Sequence, residues 1–387
     1  MFSVGNFSYS ELLSEVIDSA RRVNITNVIT ARTYLNRAAR RVVSDLDLRS
    51  CKRKSALDSK LFDDIYTYAA PSDLKAIIDI IPQVNRADSF KLVLKTQQDF
   101  DIRKTLHNNI VALGTDELVK TILFSGNVKD SKLVAATLDS LTSEGTWSLY
   151  GNASAPVADA DNFVKGAGSL KFNLTSGGTT AGIQNTTISS LDISDYTAEG
   201  HIFVWVYIVA TANITNFIID VGNDLTTNYY SDTVTTQYDG SAFVAGWNLL
   251  KFDFNGITEN GTVTDTAIDS IRLYMTKTSG KTGDGYRFDH IEFHTGEYHD
   301  LLYYSRFPWQ SSASAFLEDS TADTDLLNAE TDEFQGFIER AKMELFRELR
   351  RWDLVKDAEK EYTIWKEDYK TKNPSERLQL TRSYYRL

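Results

Sequence analysis

The chain has 387 residues, of which 42% are hydrophobic and 24% are charged, and this composition is typical of a globular protein. Cys51 is the only cysteine, so an intramolecular disulfide is excluded. No apolar run approaches the roughly 20 residues that span a bilayer, and the first residues lack the pattern of a signal peptide. We therefore expect two to three domains that are made and kept in a cytoplasm, without a membrane.

Charge is distributed unevenly within the formal net charge of −12. Residues 1–60 contain 11 Lys and Arg against 6 Asp and Glu, whereas residues 143–299 contain 7 against 18. This contrast between a basic beginning and an acidic middle indicates separate folding units.

The first elements are predicted to be helices. Apolar residues repeat at helical spacing over 8–46, with a break at "NITN", and predict an amphipathic hairpin of two helices. Short apolar runs over 60–130 predict a small sheet, in which Pro71 and Pro82 lie at edges.

The middle of the chain, residues 132–299, loses helical periodicity. Short runs rich in β-branched and aromatic residues are separated by Gly, Asn, Asp, Ser and Thr, and they predict a β-sandwich. The predicted strands are "GSLKFNL", "HIFVWVYIV", "ITNFIIDVG", "WNLLKFDF", "IDSIRLYMT" and "GYRFDHIEF".

After residue 325 the helical pattern returns. One apolar stripe runs from Phe334 to Trp352 and a second from Leu354 to Tyr369, before Pro374 ends the run. The predicted fold class is therefore α+β and multidomain: a helix-bundle host domain with a small β-sheet, 1–131 and 300–374, is interrupted by an all-β jelly-roll sandwich, 132–299. Without the insert, "LVKTILFSG" and "DLLYYSRFPW" would be close enough in sequence to pair as a hairpin.

Three of the five histidines, His290, His294 and His299, lie near the end of this insert. In a strand, His290 and His294 would be separated by roughly 13 Å, too far to share one zinc ion. We predict surface histidines here, and no metal site or cofactor.

The insert resembles the jelly-roll carbohydrate-binding modules that are appended to glycanases, through "VADADNFVKGAGSLKF", "GWNLLKFDF", "IDSIRLY" and "YRFDHIEF". That resemblance implies a calcium position near Asp159, Asp161 and Asp289, although ordinary acidic loops are the favoured interpretation. Sugar-binding faces need exposed aromatic residues, and five are available, although most are expected to be core: Trp205, Tyr207, Tyr229, Tyr230 and Tyr274.

The host halves resemble head-to-tail adaptor (connector or head-completion) proteins of tailed bacteriophages. The resemblance lies in "YLNRAARRVVSDLDLRSCKRKSAL", "YTYAAPSDLKAIIDIIPQVNR", "LLYYSRFPWQ" and the ending "NPSERLQLTRSYYRL". It implies a virion structural protein that forms a homo-oligomeric ring of twelve copies. This ring would join the portal protein to tail or further neck proteins, after assembly in the bacterial cytoplasm.

The segment 375–387 is predicted to be a docking tail. It is basic and aromatic, and these residue types are enriched at protein interfaces. The residues predicted to contact the portal are Arg377, Arg382, Tyr384, Tyr385, Arg386 and Leu387.

Enzymatic motifs such as G-x-S-x-G, Walker-type loops and H-E-x-x-H are absent from the sequence, so we predict a protein that is not an enzyme. A basic group could face genome DNA that passes through the ring without specific binding, but a solvated or subunit-facing helix surface is favoured. Its members are Arg37, Arg40, Arg41, Arg49, Lys52, Arg53 and Lys54.

Two functions follow from the sequence. The first is the adaptor ring in the neck of a virion, with the sandwich projecting outward. The alternative is a glycan-binding or host-attachment protein that carries a carbohydrate-binding-like module.

Overall fold

A computed structural model describes residues 6–23, 32–56, 60–62, 65–83, 93–95, 97–98, 109–116, 119–126, 128 and 130–376. The chain divides into two compact units. The first comprises Met1–Ser59, Tyr68–Gly126 and Tyr298–Leu387, and the second comprises Lys60–Thr67 and Asn127–Glu297. The predicted insert, 132–299, differs from the second unit chiefly because residues 60–67 belong to that unit.

Four α-helices of the first unit have bounds that lie within its described residues. They are α1 (Tyr9–Arg22), α2 (Arg32–Asp45), α3 (Thr331–Glu348) and α4 (Trp352–Lys372), with a 3-10 turn at Arg49–Cys51. Helix α1 begins at a capping box, in which Ser8 accepts a hydrogen bond from the Glu11 backbone and Glu11 reaches back to Ser8. The apolar stripes of all four helices share one hydrophobic core.

In the part of this unit that the structure describes, three sheets accompany these helices. The strand order of the first sheet is β1 (Asn6–Ser8), β23 (Leu326–Asn328), β21 (Trp309–Gln310) and β22 (Phe316–Leu317). The strand order of the second is β2 (Lys52–Ala56), β20 (His299–Ser305) and β4 (Leu74–Pro82). The strand order of the third is β3 (Thr67–Ala69), β7 (Val119–Gly126), β6 (Asn109–Asp116) and β5 (Val93–Leu94).

The predicted fold class is wrong, because strands predominate over helices in the described part of the chain and the first unit is not a helix bundle with one small sheet. The predicted hairpin between "LVKTILFSG" and "DLLYYSRFPW" is also wrong. Strand β7 pairs with β6 and β3, whereas β20 lies between β2 and β4. Sequence proximity after removal of an insert does not decide which edges pair.

The second unit is a β-sandwich. Its strands are β8 (Lys132–Ala136), β9 (Trp147–Gly151), β10 (Ala153–Asp159), β11 (Ser169–Leu174), β12 (Thr180–Asn185), β13 (His201–Ile208), β14 (Ile214–Asp224), β15 (Asn228–Val234), β16 (Gly246–Asp253), β17 (Thr258–Asn260), β18 (Ser270–Lys277) and β19 (Gly283–His294), with 3-10 turns at Thr211–Asn213 and Asp265–Ala267.

These strands form two sheets. In sheet I the strand order is β10-β11-β19-β13-β16, and β8 also pairs with β19. In sheet II the strand order is β17-β15-β14-β18-β12-β9. Alternate residues point inward and fill one core, as Val204 and Val206 do from sheet I and Leu273 and Met275 do from sheet II. The residues between them lie on the outer faces, where some are buried by other parts of the unit and others are partly exposed.

None of the helices in the described ranges is long and apolar enough to cross a membrane.

Candidate functional site

The residues predicted to dock on a portal lie outside the described residues. They are Arg377, Arg382, Tyr384, Tyr385, Arg386 and Leu387. Their role stays a prediction.

The basic group of the first unit is largely engaged within that unit. Arg37 lies 3.1 Å from Glu348, Arg49 lies 2.6 Å from Glu330, and Lys54 lies 2.5 Å from Asp300. Arg40 forms an ion pair with Asp319, and Lys52 forms one with Glu376. The guanidinium of Arg53 lies over the ring of Phe316. These contacts favour a structural role for the group.

The prediction of surface histidines is wrong, because His290, His294 and His299 are all at least nine-tenths buried. His290 sits in a β-bulge with a φ of 50°, and residues 290, 292 and 294 project from the same side of β19. The carboxylate of Glu292 therefore lies between the rings, 2.8 Å from Nε2 of His290 and 3.5 Å from Nε2 of His294.

Charges around Glu292 compensate one another. Burial acts to raise the pKa of Glu292, but hydrogen bonds with His290, His294 and Lys165 outweigh it and lower this pKa. Burial acts to lower the pKa of His294, but the bonds to Asp130, at 2.6 Å, and to Glu292 raise it. This cluster is a buried ion-pair network on the outer side of sheet I.

The three carboxylates considered for calcium have separate protein partners. Asp159 binds Arg287, and its pKa, which burial would raise, is lowered by hydrogen bonds from the Asp161 backbone and Arg287. Asp289 is buried and accepts backbone hydrogen bonds from Val164 and Lys165, whereas Asp161 is exposed. Within the described ranges, His, Cys, Asp and Glu side chains form no group of three or more that could hold a metal ion.

The five aromatic residues considered for sugar binding fall into three environments. Trp205 and Tyr207 lie on the outer face of sheet I, and Tyr229 and Tyr274 lie on the outer face of sheet II. Tyr230 points into the core and donates a hydrogen bond to Asp265. Both outer faces of the sandwich therefore carry half-buried aromatic rings.

On sheet II these rings surround one arginine. Arg272 lies 4.6 Å from the ring of Tyr150, 5.6 Å from Tyr274 and 5.7 Å from Tyr229. Its Nε donates to Asp220 at 2.7 Å, and Asp220 is fully buried. We call this outer surface of sheet II, centred on Tyr150, Tyr229, Arg272 and Tyr274, the tyrosine face.

Two glycines make room for two of these tyrosines. Gly182 lies opposite Tyr274, where an added Cβ would come within 2.5 Å of the Tyr274 Cβ. Gly222 lies opposite Tyr229, where the corresponding distance is 2.7 Å. Neither glycine has a positive φ, so the backbone conformation does not require glycine at these positions. Glycine is required because a side chain would not fit. In β-sheets an aromatic side chain often lies opposite a glycine on the neighbouring strand, where its ring packs over the glycine.

The tyrosine face crosses several strands. Cross-strand register aligns Ser148, Gln184, Arg272, Asp220 and Ser231 in one row. From β9 to β15 the face extends over four strand spacings, roughly 19 Å. It therefore presents aromatic rings beside hydrogen-bonding groups.

The phenol of Tyr274 is a hydrogen-bond donor on the tyrosine face. Burial, with a further contribution from the charge of Asp220, raises the pKa of Tyr274 to about 12. A tyrosine phenol is neutral at physiological pH with or without this shift, and the raised pKa extends to higher pH the range in which Tyr274 can donate a hydrogen bond.

Sequence reasoning missed Tyr150, Asp220 and Arg272. Tyr150 lies in "WSLYG" and Gly182 in "TAGIQN", two short runs that were not predicted as strands. Arg272 lies in the predicted strand "IDSIRLYMT", where a lone charged residue between apolar ones was the available signal.

A scan against protein-family models finds no match for this chain, and a search of curated proteins also finds none. Solved structures similar to the chain include the CBM22-1 and GH10 modules of Clostridium thermocellum xylanase 10B in complex with xylohexaose, at 14% identity and a TM-score of 0.27. This match covers 42% of the present chain and 28% of the xylanase chain.

Two further similar structures are single modules. The family 30 carbohydrate-binding module of the Clostridium thermocellum cellulase CEL9D-CEL44B is 10% identical, with a TM-score of 0.28, over 43% of this chain and 96% of the module. TmCBM61, in complex with β-1,4-galactotriose, is 12% identical, with a TM-score of 0.26, over 42% and 97% of the two chains. These matches to carbohydrate-binding modules and to a module-bearing xylanase each cover about two fifths of this chain.

Proposed function

We propose that the β-sandwich of this protein binds a glycan on the tyrosine face. The observation that carries the proposal is the position of Arg272, fixed by buried Asp220 among three half-buried tyrosine rings. The apolar C–H faces of a sugar can stack on such rings, and its hydroxyls can bind the guanidinium, Gln184 and the phenols.

The geometry of the face also favours a chain of sugars over a single one. Its rows run across five strands, and no single deep pocket is needed to hold an extended ligand. Because the side chains are already fixed by hydrogen bonds and ring contacts, little side-chain entropy is lost when a ligand binds.

The test is affinity electrophoresis of the full chain in native gels that contain xylan, hydroxyethyl cellulose or β-1,4-galactan. We expect at least one polymer to retard the wild-type protein. Tyr274→Ala should weaken that retardation at least several-fold, because stacking on an aromatic ring is lost; a loss of about 1–2 kcal/mol corresponds to roughly 5–30-fold.

The matched control is Tyr298→Ala, which removes a tyrosine that is 40% exposed and belongs to the first unit. It should migrate like the wild type. A wild-type protein that no polymer retards, or equal retardation of wild type and Tyr274→Ala, would contradict binding on the tyrosine face.

The adaptor role remains a prediction from the sequence. A portal protein, tail or neck proteins and further copies of the chain are its predicted partners, and the virion neck is its predicted location. Glycan binding is compatible with the alternative of host attachment, in which the first unit carries the sandwich.

A further inference from the structure

The arrangement of Asp, Arg and Tyr on the tyrosine face recurs on the outer face of sheet I. There Arg287 lies 4.8 Å from the ring of Tyr207, and its Nε donates to Asp159 at 2.8 Å. Its Nη1 also donates to the carbonyl of Gly285 at 2.6 Å. The Arg287 side chain is 13% exposed, the same value as for Arg272. Both guanidinium groups are therefore fixed in the same way at the surface.

Around Arg287 a continuous row crosses the sheet. Successive cross-strand pairs align Val157, Lys171, Arg287, Tyr207 and Trp247. This row spans β10, β11, β19, β13 and β16, again roughly 19 Å. We call this outer surface of sheet I, centred on Trp205, Tyr207, Trp247 and Arg287, the tryptophan face.

The aromatic rings of the tryptophan face are held in place. Trp247 packs edge-on against Tyr207, with ring centroids 5.4 Å apart. Its indole N–H donates to the side-chain oxygen of Asn162 at 2.9 Å, so the ring orientation is fixed. Because Trp205, Tyr207 and Trp247 are only half-buried, they leave apolar ring surface in contact with solvent.

Exposed apolar side chains border this face. Phe163, next to Asn162, is 38% exposed, and Val157, at the end of the row, is 48% exposed. Phe163 adds apolar surface beside the residue that fixes the Trp247 indole, whereas Val157 lies at the far end of the row, beyond Lys171 and Arg287. The combination of rings with a fixed arginine matches the tyrosine face in both chemistry and dimensions.

We propose that the tryptophan face is a second glycan-binding face of the same sandwich. The proposal rests on the proposed function, because it assigns the same ligand chemistry to the same arrangement of side chains. Since the two sheets pack face to face, their outer surfaces point in opposite directions. One chain of this protein then holds two glycans at once.

Isothermal titration of the full chain with xylohexaose, cellohexaose and β-1,4-galactotriose, each separately, tests the proposal. We expect two sites per chain in the wild type for at least one probe. Trp247→Ala should lose the site on the tryptophan face and keep the site on the tyrosine face. Tyr274→Ala should do the reverse, and the double variant should lose both sites.

Trp247→Phe is a milder variant that should fold even if Trp247→Ala does not. It keeps a ring against Tyr207, but it reduces the stacking surface and removes the indole N–H. It should keep the native circular dichroism spectrum and weaken one of the two sites several-fold. One site in the wild type that Tyr274→Ala removes and Trp247→Ala leaves intact would overturn the second face and leave the proposed function standing. One site that only Trp247→Ala removes would instead support the tryptophan face and overturn the tyrosine face. No binding of any probe would overturn both.

Discussion

A charged side chain can be nearly buried on a sheet surface when its charge and its flat shape both find partners. Arg272 has the buried carboxylate of Asp220 for its charge and three tyrosine rings for its planar guanidinium. A lysine would keep the charge but lose the planar contact and the geometry of the paired hydrogen bonds. The residue type at position 272 is therefore dictated by its neighbours as much as by any ligand.

His201 is less well compensated: neither ring nitrogen has a hydrogen-bond partner, the Asp253 carboxylate lies 3.5 Å from Nδ1, and the residue is 6% exposed. Burial, followed by the charges of Lys251 and Lys60, lowers the pKa of His201 from 6.5 to about 3. Below pH 6.5 the unfolded chain gains a proton that the folded chain does not accept until about pH 3. His201 therefore reduces stability progressively as the pH falls through this window.

We predict that His201→Leu makes the protein less sensitive to acid. Leucine has no proton to gain, so the difference in unfolding free energy between variant and wild type should grow in favour of the variant as pH falls from 6.5 toward 3. Denaturant titrations across this range measure it. Parallel pH profiles for the two proteins would show that other groups, such as Glu292 or Asp130, determine the acid response.

At the scale of strands, the tyrosine face depends on register. Tyr150 and Tyr274 both lie opposite Gly182, and their rings meet at 5.0 Å across the glycine strand. Because side chains alternate along a strand, a slip of one residue would turn either tyrosine toward the core. The register against Gly182 thus places both rings on one side of the sheet, and the absence of a side chain at Gly182 lets them meet.

Gly182→Ala is predicted to disturb both stability and binding. The added Cβ would lie 2.2 Å from the Leu273 carbonyl oxygen and 2.5 Å from the Tyr274 Cα, so the backbone must shift. We expect a loss of about 1–3 kcal/mol in unfolding free energy, together with weaker glycan retardation.

Thr276→Ala, two residues from Tyr274 on the same side of β18, is the control for Gly182→Ala, and it should change stability much less. A Gly182→Ala protein as stable as the wild type would show that β12 and β18 can separate at no cost.

The sequence pattern predicted the strands of the sandwich well where they are apolar. "HIFVWVYIV" and "WNLLKFDF" are β13 and β16, because β-branched and aromatic residues dominate them. The strands that complete the tyrosine face, β9 and β12, are short and contain glycine, so their pattern is weak. Arg272 and Asp220 meet only through the pairing of β18 with β14, which no local pattern encodes.

At the scale of the whole chain, the segment 60–62 belongs to the sandwich unit although it precedes that unit by many residues in sequence. Leu61 pairs with Glu297, and the Phe62 ring contacts His201 and Phe203 at centroid distances of 5.1 and 4.8 Å. No composition change marks this segment, because the contacts that define it are long-range.

We predict that Phe62→Ala and Phe337→Ala destabilise different units, each by about 3–5 kcal/mol, since each removes a buried ring. Hydrogen exchange measured peptide by peptide should rise in β13 and β19 for Phe62→Ala and in α3 for Phe337→Ala. If either substitution raises exchange equally in all these elements, the two units unfold as one.

Both outer faces of the sandwich contain tyrosine, but tryptophan lies on the outer face of sheet I and not on that of sheet II, and this difference has a spectroscopic consequence. The tyrosine face is built on Tyr150, Tyr229 and Tyr274, whereas Trp205 and Trp247 lie on the opposite face and Trp147 lies in the core. A glycan on the tyrosine face should leave tryptophan fluorescence almost unchanged. A glycan on the tryptophan face should shift the emission of two partly exposed indoles, so the natural fluorescence of the unmodified chain reports which face is occupied.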